Sequence, residues 1–216
     1  MDTTIVSLFI CIAVPLILVL FFLEKKAKQT ILFFILGMFV CLYISGINGL
    51  LLKAFNSDYF YVTTTITPIS EEIAKAIPII FFAYVFTSDR KTLITISFAL
   101  GVGFAVMENA YLILNNDDIS IAWAFVRAFG AGLMHSLCTA AVGYGMSLVR
   151  ERKKLAFCGT FALLTTAIIF HATYNLLVQS DLKVLGFILP VIAYVPLFIF
   201  NIVKYIKNKK SAPITK

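Results

Sequence analysis

The chain has 216 residues, of which 61% are hydrophobic and 13% charged, with a formal net charge of +7. A soluble domain is about half apolar and about a quarter charged, so this composition excludes an ordinary globular protein and points to a polytopic membrane protein. No soluble domain, low-complexity segment or long linker stands out, so residues 1–216 read as a single integral membrane domain.

Apolar stretches of about 20 residues run roughly over 3–23, 31–53, 67–86, 92–114, 127–149, 155–178 and 184–206. The expected fold is therefore an all-α bundle of about seven transmembrane helices. The first stretch carries Asp2 where a cleavable signal would carry cations, and its basic residues follow it, as in an anchor with its N-terminus outside. The third has a start signal in Thr67, a capping residue, and Pro68 at the first helical position. Pro78 is expected to kink it.

Orientation follows from the cations. Lys25, Lys26 and Lys28 follow the first stretch, Arg90 and Lys91 the third, and Arg150, Arg152, Lys153 and Lys154 the fifth. Five more lysines fall between Lys204 and Lys216, so one side collects 14 of the 18 Lys and Arg. The positive-inside rule then places the N-terminus outside and the C-terminus in the cytoplasm. The basic net charge reflects this topology and an attraction to anionic lipid, and it argues for the bilayer rather than nucleic acid as partner. Cys11, Cys41, Cys138 and Cys158 sit in apolar stretches without metal-ligand spacing and read as small core residues.

Against this background the ionisable residues inside apolar stretches stand out: Glu71, Glu72 and Lys75 in "PISEEIAKAIPII", Glu108, His135 and His171. Arg127 lies at an outer edge, and Asn109 and Asn175 are the nearest amides. By helical rise the pair Glu71 and Glu72 sits about 6–8 Å below the outer end of its stretch, Glu108 about 9 Å, His135 about 12 Å and His171 about 10 Å. Four helices thus bring ionisable groups to one level in the extracytoplasmic half. Intramembrane charges are costly and favour a functional reading. The plainer readings are a Glu72–Lys75 neutralising pair on one helix, interhelical histidine contacts and a headgroup role for Arg127. They leave one carboxylate without a partner. Paired carboxylates suit general-base chemistry, and His171 with Asn175, one turn apart in "HATYN", can donate to an oxyanion. These are parts for activating water against a peptide carbonyl. Cys138 follows His135 by three residues, but a thiol mechanism has nothing else in its favour.

Four ordered motifs, "EEIAK", "FAVMENAY", "FVRAFGAGLMHSLCTAAVGYGM" and "HATYN", resemble those of the PrsW family of intramembrane proteases, within the larger group of prenyl endopeptidases and bacteriocin-processing or immunity proteins. The resemblance implies site-1 cleavage of a membrane-anchored, single-span anti-sigma factor in a bacterial cytoplasmic membrane, beginning a stress response. It assigns Glu71, Glu72, Glu108, His135, His171 and Asn175 to catalysis with Lys75 as the family's basic residue, and the nearby Asn109 and Arg127 are expected to support them by position. Glu108 stands where the prenyl endopeptidases carry a histidine, which brings the chain nearer to PrsW. Asn175 stands where the PrsW motif often ends in Asp.

Two mechanisms fit. In one, Glu108, His135 and His171 hold a divalent metal such as zinc and a glutamate of the pair is the base. In the other, which the His171–Asn175 spacing favours, no metal takes part, Glu71 activates water, and His171 with Asn175 receives the oxyanion. Two other classes place similar groups in a membrane. A non-catalytic immunity or scaffold protein would be expected to lose the glutamate pair or His171, and both are present. A proton-coupled transporter would more usually show inverted repeats.

Overall fold

The computed structural model describes residues 8–10, 12–14, 16–17, 20, 23–55, 58–116, 120–148 and 153–210. Among them all regular structure is helical. The long helices are α1 (Lys25–Ala54), α2 (Thr67–Val85), α3 (Arg90–Leu114), α4 (Ile121–Met146), α5 (Lys153–Val178) and α6 (Lys183–Lys210). Six of the seven expected apolar stretches coincide with these helices. The stretch over 3–23 is described only in part.

Among the described residues, four helical segments are long and apolar enough to cross a membrane: α1, α3, α4 and the Phe157–Val178 part of α5. The chain is thus an integral membrane protein of helical build, and the described residues show four such spans where seven were expected along the whole chain. Composition explains the difference. The 19 residues of α2 include Glu71, Glu72 and Lys75, three charges in one span-length helix.

Thr67 does not cap its helix but is its first α-helical residue. A helical turn at Tyr59–Tyr61, begun by the Asp58 side chain accepting from the Tyr61 N–H, runs through a π-helical segment, Val62–Ile66, into α2. Ile66 and Thr67 are both in right-handed helical conformation. Chain continuity therefore overrides the cap signal. Asp89 caps α3 by accepting from the Thr92 N–H at 2.8 Å, and Ser120 caps α4 by accepting from the Trp123 N–H at 3.1 Å.

Helix α4 is central, touching α2, α3, α5 and α6, while α3 lies between α4 and α1. Small residues set the closest approaches, as membrane helices require where lipid is as apolar as the helix surface. A Cβ on Gly103 would overlap the backbone of Phe34, and one on Gly37 the backbone of Leu100, so α1 and α3 meet main chain to main chain. A Cβ on Gly101 would lie 2.6 Å from the carbonyl oxygen of His135. Glycine at this point lets α3 bring its neighbours onto the α4 histidine.

Helix α2 is inverted relative to a soluble amphipathic helix. Glu71, Glu72, Lys75, Ala76 and Ile79 are buried, whereas Ile73, Ile77 and Phe81 are exposed. Spacings of three and four residues place the charges on one stripe, and that stripe faces protein. Cys41 and Cys138 are buried as expected, but Cys158 is exposed; Cys11 lies outside the described residues.

Candidate active site

Glu71, Glu72 and Lys75 of α2, His135 of α4 and His171 of α5 are buried and converge where α2 contacts α4 and α5. Lys75 Nζ donates to Glu72 Oε1 at 2.5 Å and lies 2.9 Å from His135 Nδ1. An ammonium has donors only, so His135 Nδ1 is the acceptor and the ring proton is on Nε2. That Nε2 lies 3.0 Å from Glu108 Oε2, the same oxygen that Arg127 Nη2 approaches at 3.0 Å. Arg127 Nε donates to Asn109 Oδ1 at 3.1 Å. The Phe104 ring covers Lys75 at 4.6 Å.

On the other side of Glu72, the same Oε1 lies 2.8 Å from His171 Nδ1. A carboxylate accepts, so Nδ1 carries the proton and His171 Nε2 keeps a lone pair, 3.9 Å from Glu71 Oε2. The two imidazoles meet edge to face with centroids 4.8 Å apart. Glu71 receives the Asn48 side-chain amide on Oε1 at 3.1 Å, and Asn48 in turn accepts from Ser70 at 2.6 Å.

Charge is unbalanced in this cluster. Lys75 offsets Glu72 and Arg127 offsets Glu108, which leaves Glu71 with a neutral amide alone. Glu71 Oε2 and Glu72 Oε2 are buried without a hydrogen-bond partner. Buried acceptors are rarely left so, and they mark a place for a proton, a water or a cation. One donor atom each from Glu71, His135 and His171 lies within 4.8 Å of the others, a set able to hold a metal ion. The chemistry of the set fits such an ion: Glu71 Oε2 is partnerless, and Glu72 holds the far nitrogen of His171 as a supporting carboxylate does for a ligating histidine. To join them, His135 must give up Lys75 or Glu108.

This placement differs from the expected ligand set. Glu108, one-quarter exposed, is tied to Arg127 and His135, and Glu71 is the carboxylate with a donor atom within 4.8 Å of one from each histidine. Asn175 also differs from its expected place: its amide donates to the backbone carbonyl of Thr63 at 2.9 Å. Reasoning from sequence passed over Asn48, although a lone amide in the apolar "ISGINGLLL" was a signal of the same kind as the glutamates.

Residues 25–201 match the family model of the PrsW family intramembrane metalloproteases. The chain belongs to the PrsW family. No curated protein and no solved structure matches it. PrsW membership makes the chain a peptidase by family, and the buried cluster lies wholly within the matched residues.

Proposed function

We propose that this PrsW-family protein is a metal-dependent intramembrane endopeptidase that cuts a single-span membrane protein near its extracytoplasmic end. An anti-sigma factor of a bacterial cytoplasmic membrane is the proposed substrate. The observation that supports it is the convergence of Glu71, His135 and His171, with Glu71 Oε2 buried and partnerless. These three residues would hold a divalent metal, which when bound supplies a Lewis acid and a more acidic water. Glu72 is the base in this reading. Its Oε1 is held by Lys75 and His171, and its Oε2 is free to take a proton from water. The water oxygen adds to the peptide carbonyl carbon, the C–N bond breaks, and Glu72 returns the proton to the departing amine.

Glu108, Arg127 and Asn109 position His135. The metal-free alternative has one observation in its favour, the Lys75 contact that occupies His135 Nδ1. In that form Glu71 is the base.

Metal content and cleavage separate the two. The purified protein in lipid nanodiscs is assayed on a single-span substrate with and without a chelator. Glu71→Gln is expected to lose both metal and cleavage, whereas Glu72→Gln keeps metal and loses cleavage by at least about a hundredfold. Chelator-resistant cleavage abolished by Glu71→Gln supports the metal-free form. Full cleavage by both variants overturns the protease reading.

A further inference from the structure

The π-helical segment above α2 has a chemical cause that assigns a role to Asn175. In an α-helix the Thr63 carbonyl would accept from the Thr67 N–H, but that N–H is bonded to Val62 one residue further back. In a π-helix the Thr63 carbonyl would accept from residue 68, which is Pro68 and has no N–H. Both backbone partners are thus removed. An unpaired carbonyl in a membrane protein is costly, and the Asn175 amide supplies the missing donor at 2.9 Å. Gln179, one turn on, lies 3.1 Å from the Thr63 hydroxyl and donates to the Asn175 carbonyl at 3.2 Å.

We infer that Asn175 is a positioning residue: it clamps the π segment to α5 by replacing the N–H that Pro68 lacks, and so sets the glutamate pair against His171. Two features give the clamp its leverage. Asn175 is one turn from His171 on the same helix, and Glu71 and Glu72 follow Pro68 by three and four residues on α2, so the bond ties the two elements together just above the Glu72–His171 contact. The donated hydrogen bond goes to backbone, not into the cluster. This inference rests on the protease reading for its catalytic consequence, but the clamp itself is independent of it.

The test is a rescue. Pro68→Ala restores an N–H at position 68. In the π register that group reaches the Thr63 carbonyl, and in the α register it reaches Thr64 and frees the Thr67 N–H for Thr63; either way Asn175 becomes dispensable. Hydrogen exchange of residues 64–71 and cleavage of a single-span substrate are measured for the full chain in nanodiscs. Asn175→Ala is expected to speed exchange and slow cleavage, each about tenfold, for one lost hydrogen bond to a carbonyl left unpaired. Pro68→Ala combined with Asn175→Ala is expected to return both to within about twofold of Pro68→Ala alone. Slowed cleavage with unchanged exchange and no rescue would make Asn175 an oxyanion donor and overturn the clamp. Exchange that follows the expected pattern while Glu71→Gln and Glu72→Gln both cleave normally would uphold the clamp and remove the protease reading.

Discussion

Lys75 shows how a charge becomes tolerable at a site surrounded by apolar helices. It is fully buried, with Glu72 at 2.5 Å, His135 at 2.9 Å and the Phe104 ring over it. Each of these contacts offsets part of the cost of removing an ammonium from water. Removing one member strands the other. Lys75→Met is therefore expected to destabilise the protein by roughly 3–5 kcal/mol, because Glu72 is left buried with only His171 on its bonded oxygen. Combining it with Glu72→Gln should recover part of the loss, since the stranded charge is then gone. Thermal unfolding in a mild detergent measures both, and an additive double variant would show that the pair is not coupled.

At the scale of helices, the site depends on how closely α3 approaches α4. The Gly101 position faces the His135 backbone, where an added Cβ would lie 2.6 Å from the carbonyl oxygen. Main chain cannot give way as a side chain can, so Gly101→Ala is expected to push α4 outward, cost about 1–3 kcal/mol as overpacking and impair cleavage. Gly46→Ala, where a Cβ meets nothing within 4 Å, is the control and should leave the melting temperature unchanged or slightly raised. The start of α3 offers a pH-dependent test. Hydrogen bonds from the Thr92 hydroxyl and N–H hold the Asp89 carboxyl below its ordinary range. A carboxylate with a lowered folded-state pKa contributes stability above its unfolded value and loses it as pH falls through the folded one. Asp89→Ala should thus lower the melting temperature at neutral pH, and the gap from the unaltered protein should close on acidification. A gap independent of pH would remove the cap from the account.

For the whole molecule the quantity to measure is orientation. The cation distribution predicts that the α3–α4 connection faces outward and the α4–α5 connection faces the cytoplasm. In a cysteine-free background, Asn116→Cys should react with an impermeant thiol reagent in intact cells, and Lys154→Cys only after permeabilisation. The reverse pattern would move the cluster to the cytoplasmic half and with it the expected cut in the substrate. Helix ends also alter the depth argument. Measured from Tyr59, the glutamate pair lies about 18–20 Å along its helix, and His135 lies about 21 Å along α4 from Ile121, whereas Glu108 and His171 stay about 9–10 Å from the C-terminal ends of α3 and α5. The groups share a level through their contacts, even though α2 and α4 begin well above them.

How much of this was legible in the chain divides along the range of the interactions. Composition and apolar run length determined a helical membrane protein, because a backbone in lipid must satisfy its own hydrogen bonds and helices do so locally. The cost of intramembrane charge singled out Glu71, Glu72, Lys75, Glu108, His135 and His171 before any packing was known. Pairings between helices were not legible, since they depend on rotation and approach set by residues such as Gly101 and Gly103. Only the tertiary structure placed Glu71 rather than Glu108 beside both histidines, with Arg127 drawing Glu108 to the cluster's edge. It alone turned Asn175 toward the Thr63 carbonyl, because that acceptor, which Pro68 leaves without an N–H, lies more than a hundred residues from Asn175 in the chain. Local chemistry decides which groups must find partners, and the packing of helices decides which partners they find.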